Sequence, residues 1–212
     1  CEALYYLRDS GRAAEIEKEC RAALELSERY PSPLSLNSVN LYHIRAILGD
    51  TFKNSLRRYR EAAEQYNALL MFPKISPGDQ CELLLGRAEC ALALQDFQGA
   101  TQDFTRASGL CEKSADLDYA KRAASVYSGT SLKEAIELAQ QHPLDEGGQS
   151  ALEWRKAERA EMTQQWKAQG RGPLPPEDWH AQHLEGPRYR VDVRAGAAVL
   201  FSARVDLWTK VV

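Results

Sequence analysis

Residues 83–107 read LLLGRAECALALQDFQGATQDFTRA, and this stretch decides the fold of most of the chain. Small and apolar residues recur in it at spacings of three and four, in two runs separated by a short polar turn. Such spacing lines up side chains along one face of a helix, so the stretch predicts two antiparallel helices. Small residues mark close approach of the helices, and aromatic ones fill the space beside them. The deciding positions are Ala88, Phe97, Ala100, Phe104 and Ala107.

The pattern recurs on both sides of this stretch. We therefore predict four helix pairs over residues 1–143, of which the first is cut short at Cys1. Loops containing proline, at residues 30–35 and 72–78, absorb extra length because proline interrupts a helix. One additional residue is predicted in the turn of the second pair, around residues 53–58. Equivalent positions of the four pairs are Ile16, Ala62, Ala100 and Ala135, which lie 46, 38 and 35 residues apart.

This pattern resembles the tetratricopeptide repeat, a helix pair of about 34 residues with a signature of small and aromatic positions. The resemblance implies an all-α fold whose pairs wind into a right-handed superhelix with a concave groove. In that family the first helix of each pair lines the groove, which binds a peptide or a helix of a partner protein. The resemblance places six charged residues there, with ordinary solvated charges as the alternative interpretation: Arg45, Asp50, Arg87, Glu89, Lys121 and Arg122.

Some members of this family hold the acidic C-terminal tails of the Hsp70 and Hsp90 chaperones in a clamp of Lys, Asn and Arg. Cationic and amide side chains suit that task because the ligand is a carboxylate. Here Lys121 alone does not rebuild the clamp, so we expect no binding of chaperone tails. The other clamp positions hold Cys1, Tyr5, Ala46, Ile47, Asp50, Glu82 and Gly86.

The sequence changes character after residue 143. Glycines in residues 144–148 predict a break, and residues 149–169 predict one long charged helix. Trp154, Met162 and Trp166 lie on one stripe of that helix. A helix with one apolar face would cap the array, which makes residues 144–170 a capping region. A helix that binds a partner is the alternative.

Residues 171–212 form a third region, a proline-rich linker followed by a segment of β character. Apolar and charged residues alternate at residues 189–194 and again at residues 204–207, within a stretch, residues 198–208, that is rich in Val, Leu, Phe and Trp. Alternation is typical of a strand with one buried face, so the two stretches predict a small β-hairpin.

Residues 177–185 predict a short polar helix ahead of that hairpin. His180 and His183 would lie on one helical turn, where Asp178 and Glu185 could join them around a metal ion. A metal site needs three or four ligands in fixed geometry, and the others would have to come from elsewhere. We therefore expect no metal at His180 and His183.

Composition limits the classes of function. The 212 residues carry a net charge of −3, and this lack of a cationic surplus argues against a nucleic-acid partner. No apolar run approaches the roughly 20 residues of a membrane span. The chain begins in what reads as the middle of a helix, so we expect it to belong to a longer protein. A bacterial lipoprotein anchor at Cys1 is the alternative.

The five cysteines are scattered, and no pair has the Cys-x-x-Cys spacing of a zinc site or redox motif. Cys20, Cys81 and Cys90 lie among alanines and leucines, which predicts small buried apolar side chains. An odd number of scattered cysteines favours a reducing intracellular compartment, the cytoplasm or the nucleus.

Catalytic motifs are missing: the sequence has no phosphate loop, no Gly-x-Ser-x-Gly and no His-Glu-x-x-His. We expect neither enzymatic activity nor a cofactor. The first hypothesis is a protein–protein interaction scaffold or adaptor. Two alternatives stay open: a structural subunit of a large multiprotein assembly anchored by its C-terminal segment, and the non-catalytic arm of a larger enzyme or cochaperone.

Overall fold

The structure, a computed structural model, describes residues 10–29, 36–144 and 148–212. Within these ranges the chain is mostly helical and ends in a small antiparallel sheet. The α-helices are α1 Ala13–Arg29, α2 Leu36–Asp50, α3 Tyr59–Leu70, α4 Pro77–Ala93, α5 Phe97–Ser108, α6 Ser114–Ser128, α7 Leu132–Gln141 and α8 Ala151–Ala168. The strands are β1 Glu177–Glu185, β2 Arg188–Ala195 and β3 Ala198–Asp206. Contacts divide the chain into two compact units, Cys1–Ala124 and Ser125–Val212, so the boundary falls within α6.

The core of the first unit is built from the predicted helix stripes. Ala62, Ala100 and Phe104 are 0% exposed, Phe52 is 1% exposed and Ile16 is 6% exposed. The predicted core positions Ile16, Phe52, Ala62, Ala100 and Phe104 are therefore confirmed, whereas the predicted aromatic positions Tyr59 and Phe97 are only half-buried. The winding of the pairs into a superhelix stays a prediction. The predicted first helix around Cys1 and Tyr5, and the loop at residues 30–35, lie outside the described residues.

The extra residue predicted after α2 is confirmed as a wide helical turn. Residues Thr51–Ser55 form a π-helix, in which the Leu56 amide donates to the Thr51 carbonyl at 3.0 Å. A π turn accommodates one residue more than an α turn. Phe52 anchors this turn in the core, and the guanidinium of Arg58 lies 4.7 Å from the centre of its ring.

The loop predicted at residues 72–78 is shorter in the structure, because α4 already begins at Pro77. Proline is well tolerated in the first turn of a helix, where its missing N–H would have no helical acceptor. Ser76 is the N-cap: its Oγ accepts a hydrogen bond from the Asp79 amide at 3.1 Å. The prediction that the prolines prevent a continuous helix is therefore confirmed, since α3 ends at Leu70 and a separate helix begins at Pro77.

Two of the cysteines form a disulfide bond that was not predicted from the sequence. Cys81 of α4 and Cys111, which follows α5, form a disulfide with a Cα–Cα distance of 5.1 Å. Cys81 is buried as predicted, but its description as a free apolar side chain is wrong. Cys20 and Cys90 are free and buried, as predicted. Disulfides are typical of oxidising compartments, whereas the location of this protein stays a prediction.

The second unit packs α7 and α8 with the sheet, whose strand order is β1-β2-β3. Residues 177–185 are a strand and not the predicted helix. Their exposure alternates residue by residue, with Trp179, Ala181 and His183 on the inner side. A two-stranded hairpin is marginal in water, and β1 supplies the third strand that stabilises β2 and β3. The predicted hairpin itself, β2 with β3, is confirmed.

Tyr189 of β2 is the largest fully buried side chain of the sheet. Its hydroxyl donates to the Val126 carbonyl at 2.7 Å, near the C-terminal end of α6. His183 packs beside it, with the two ring centres 5.1 Å apart. Gly129 has a φ of +82°, and a Cβ at this position would lie 2.6 Å from the His183 ring. Glycine here therefore permits both the turn after α6 and the close approach of β1.

The long charged helix is confirmed as α8, which begins with a capping box between Ser150 and Glu153. Its buried positions are Ala151 and Arg155, and not the predicted tryptophan stripe. Trp154 is 37% exposed and Met162 is 36% exposed. The sequence pattern misidentified the inward face because a buried arginine replaces an apolar residue there.

Candidate functional site

The candidate site lies on helices α2, α4 and α6 of the first unit, which carry the six predicted groove residues. Tyr66 of α3 sets the spacing between two of these helices. A Cβ added to Gly49 of α2 would lie 3.2 Å from the Tyr66 ring, and one added to Gly86 of α4 would lie 2.9 Å from it. The Tyr66 hydroxyl donates to the Asp50 carboxylate at 2.8 Å. Two glycines therefore hold one ring between two first helices, and predicted groove residue Asp50 anchors it.

Burial raises the pKa of the Tyr66 hydroxyl, and the neighbouring Asp50 carboxylate raises it further. The phenol therefore stays protonated at any physiological pH and serves as a hydrogen-bond donor. The Asp50 carboxylate is therefore already engaged in a hydrogen bond within the protein.

Replacing Gly86 with alanine should lower the free energy of unfolding by about 1 kcal/mol. Alanine would gain about 1 kcal/mol of helix propensity, but forcing a Cβ against a packed ring costs about 1–3 kcal/mol. Gly78→Ala is the matched control in the same helix, since its Cβ would meet nothing closer than 3.9 Å. Urea unfolding followed by circular dichroism measures both variants. Equal stabilisation by the two alanines would contradict the close packing of Tyr66.

Glu89 of α4 connects neighbouring first helices. Its carboxylate accepts from the Lys53 ammonium at 2.6 Å and, at the longer distance of 3.4 Å, from the Tyr119 hydroxyl of α6. Lys53 belongs to the π turn after α2, and its side chain is 18% exposed against 41% for Glu89. Lys53, Glu89 and Tyr119 thus lie in a row across three successive segments. We call these three residues the polar row.

Arg87 of α4 is held by a fixed network. Its guanidinium makes a two-point contact with the Asp103 carboxylate of α5, at 2.7 and 2.5 Å, and also donates to the Asn67 amide oxygen of α3. Asp103 is 6% exposed. The network borders a pocket of about 270 Å³ that Ala91 and Leu94 also line. Arg87 therefore joins α3, α4 and α5, and its charge is compensated within the protein.

The remaining predicted groove residues divide into two kinds. Arg45 donates to the Gln65 side-chain oxygen at 3.0 Å, which links α2 to α3. Lys121 and Arg122 of α6 have exposed side chains. Among the six predicted residues, Lys121 and Arg122 are thus the two with exposed side chains.

His180 and His183 do not lie on one face, because residues three apart in a strand point to opposite sides of a sheet. His183 contacts the Gly186 carbonyl through Nε2 at 2.9 Å, whereas His180 is exposed and lies opposite Asp192 of β2. The interpretation of these residues as neighbours on a helical turn was wrong. Within the described ranges, no group of three or more histidine, cysteine or acidic side chains is placed to hold a metal ion.

The outer face of the sheet contains a buried carboxylate. Asp192 of β2 is 1% exposed. It accepts hydrogen bonds from Arg190 at 2.8 Å, Arg194 at 2.7 Å and Ser202 at 2.8 Å. Burial alone would raise the pKa of Asp192, but the hydrogen bonds from these three side chains lower it to about 2.

The stability of the second unit should therefore fall in acid. A lowered carboxyl pKa stabilises the fold above the ordinary pKa near 4, and this contribution disappears as pH falls towards 2. The shift corresponds to about 2 kcal/mol. Urea unfolding at pH 5 and at pH 2.5, read by tryptophan fluorescence, measures it, because all four tryptophans lie in the second unit. Asp192→Asn should lose part of this pH dependence, and an unchanged dependence would refute the assignment.

Comparisons with protein-family models, with curated proteins and with solved structures gave no match. They therefore assign the chain to no family, and the resemblance to tetratricopeptide repeats rests on the sequence pattern. In the part of the chain that the structure describes, no helix combines the length and apolar character needed to cross a membrane.

The sequence predicted six charged residues but missed the side chains that hold them. Those partners are uncharged or lie far along the chain, as with Tyr66 for Asp50 and Lys53 for Glu89. Tyr66 was identifiable as a core aromatic by its helical spacing. Its hydroxyl partner had no local signal, because Asp50 is on the preceding helix.

Proposed function

We propose that this protein is a protein–protein interaction scaffold of stacked helix pairs, which binds a peptide or helix of a partner along its first helices. The proposal rests chiefly on the polar row. Through Glu89, residues of three successive segments reach one another at a partly exposed surface. Side-by-side first helices with polar side chains provide the donors and acceptors that an extended ligand requires.

Lys121 is the residue on this face that is best suited to a test. Its side chain is exposed, whereas Arg45, Asp50, Arg87 and Glu89 support the fold. Replacing those four residues would therefore confuse loss of binding with loss of structure.

Lys121→Glu should reduce capture of a stoichiometric partner from a lysate of the source cells by about three- to tenfold, since it turns one exposed attraction into a repulsion. Lys18→Glu is the matched control and should capture the partner normally. Lys18 is exposed on α1, which is predicted to be the second helix of its pair and not a first helix. Quantitative mass spectrometry measures both. Equal capture by the two variants, with unchanged circular dichroism, would contradict binding along the first helices.

A second candidate function is a structural subunit that attaches to an assembly through its C-terminal segment. The exposure of two neighbouring apolar side chains in β3 supports it: Val199 is 47% exposed and Leu200 is 43% exposed. Removing residues 171–212 would be a poor test, because α8 and α6 would lose their contacts with Glu177 and Tyr189. The same capture experiment with Leu200→Lys avoids this. Leu132→Lys is its control, as Leu132 is 41% exposed in α7.

A further inference from the structure

Strand β3 has one open edge. It pairs with β2 on one side, and within the described ranges no other strand lies along its second side. The chain itself uses only the far end of this edge. There the Asp206 amide donates to the Val211 carbonyl at 2.8 Å, and the Val211 amide donates back to the Asp206 carbonyl at 3.2 Å. This antiparallel bridge shows that the outer edge of β3 accepts a strand in that orientation.

The bridge also identifies the backbone groups that remain open. Both polar groups of Asp206 point away from β2, and orientation alternates along an antiparallel strand. The amide and carbonyl of Arg204 and of Ser202 therefore point outward as well. Among the described residues none is hydrogen-bonded to these outward groups. An unpaired row of this kind is a template for strand addition.

The side chains beside this edge differ between the two faces of the sheet. On the outer face, Arg204 lies directly opposite Arg190 of β2, and like charges in such positions repel. Arg190 is compensated by Asp192, whereas no carboxylate of the described residues lies within ion-pairing distance of Arg204. On the inner face, Phe201 and Ala203 are only half-buried. Phe201 contacts the rings of Trp154 and Trp179, but both Phe201 and Ala203 keep part of their apolar surface exposed. The edge thus lacks an acidic neighbour on one face and leaves apolar surface open on the other.

We propose that the β3 edge at residues 201–204, which follow the bulge at Leu200, binds an extended segment of a partner protein as an antiparallel fourth strand. Alternate residues of this segment are acidic, facing Arg204, and apolar, facing Phe201 and Ala203. The inference names the partner chemistry of the second candidate function and rests on that proposal. A second copy of this chain fits less well, because residues 198–203 of β3 contain no acid and would leave Arg204 uncompensated.

The test uses a fluorescein-labelled peptide of eight residues that alternates valine and glutamate, and a matched peptide that alternates valine and lysine. Fluorescence anisotropy with the full chain should show binding of the glutamate peptide, and about three- to tenfold weaker binding of the lysine peptide. Arg204→Glu should reverse this order. The variant should fold normally, since the new carboxylate would lie opposite Arg190. A glutamate peptide with alternate amides N-methylated should bind at least about tenfold more weakly, because strand addition depends on backbone hydrogen bonds.

Three outcomes would overturn the inference: no binding of the glutamate peptide, an unchanged preference in Arg204→Glu, or equal binding of the N-methylated peptide. A concentration-dependent dimer in sedimentation, abolished by Leu200→Lys, would overturn it in favour of a second copy. The glutamate peptide could fail to bind while Leu200→Lys still loses the partner captured from lysate. That result would reject the proposed partner chemistry but leave attachment through β3 standing. Lys121→Glu should bind the peptide normally, which separates this surface from the first helices.

Discussion

Arg155→Met should lower the free energy of unfolding of the second unit by about 3 kcal/mol. The Arg155 side chain is 8% exposed and contacts the Glu177 carboxylate of β1 through two nitrogens, at 2.9 and 2.6 Å. Removing one member of a buried ion pair leaves an uncompensated charge and costs about 3–5 kcal/mol. We expect the low end, because Arg159 also reaches Glu177 at 2.8 Å. Urea unfolding followed by tryptophan fluorescence reports on this unit.

Two further variants identify the cause of the loss. Arg155→Met with Glu177→Leu removes both charges and should recover much of the stability, since a buried ion pair often contributes little over apolar side chains. Arg159→Met alone should cost less than about 1 kcal/mol, because that side chain is 32% exposed. An equal loss in the single and double variants would show that lost packing dominates over the charge left behind.

The lowered pKa of Glu177 also indicates that its ion pair stabilises the fold. Burial raises this pKa, and the hydrogen bonds from Arg155 and Arg159 outweigh that effect and lower it below its ordinary value. A lowered pKa means that the folded state stabilises the ionised form of the Glu177 carboxyl group. The pair therefore contributes stability above the ordinary carboxyl pKa and loses it in acid.

The helices were predictable because their signal is local. Spacing of three and four residues identified the core positions of α3, α4 and α5, and the extra residue after α2 followed from counting along the pattern. The inward face of α8 was missed because Arg155, besides its neighbour Glu158, is paired with Glu177, a partner 22 residues away. A single-sequence pattern treats arginine as a surface residue and has no means of pairing it.

Strand β1 was missed for a related reason. Its inner side chains include Ala181 and His183, which are too small or too polar to reveal an apolar face in the sequence. The spacing of the two histidines, three residues apart, suggested a helical turn instead. The strand is stabilised by pairing with β2 and by packing on α7, and both are non-local. The polar row and the Arg87 network likewise depend on partners from other helices. The six predicted groove residues thus lie on helices, whereas His180 and His183 lie on a strand, and the contacts of all of them emerged only from the fold.

Replacing both Cys81 and Cys111 with alanine should lower the free energy of unfolding of the first unit by about 3–4 kcal/mol. The disulfide closes a segment with a sequence separation of 30, and restricting the unfolded chain by a loop of this length gives that magnitude. It joins the start of α4 to the segment after α5, so the loss should affect the α4–α5 pair first. Urea unfolding followed by circular dichroism measures the change, since the first unit contains most of the helical residues.

Reduction provides the control for this variant. Dithiothreitol should lower the stability of the native protein to that of the double variant and should leave the variant unchanged. Thiol titration of the denatured protein should find three reactive thiols without reductant, which is the five cysteines less the bonded pair, and five after reduction. Five thiols in protein purified under oxidising conditions would refute the bond and favour the predicted reducing compartment. Three thiols would instead support a disulfide between α4 and the segment after α5, because Cys20 and Cys90 are free.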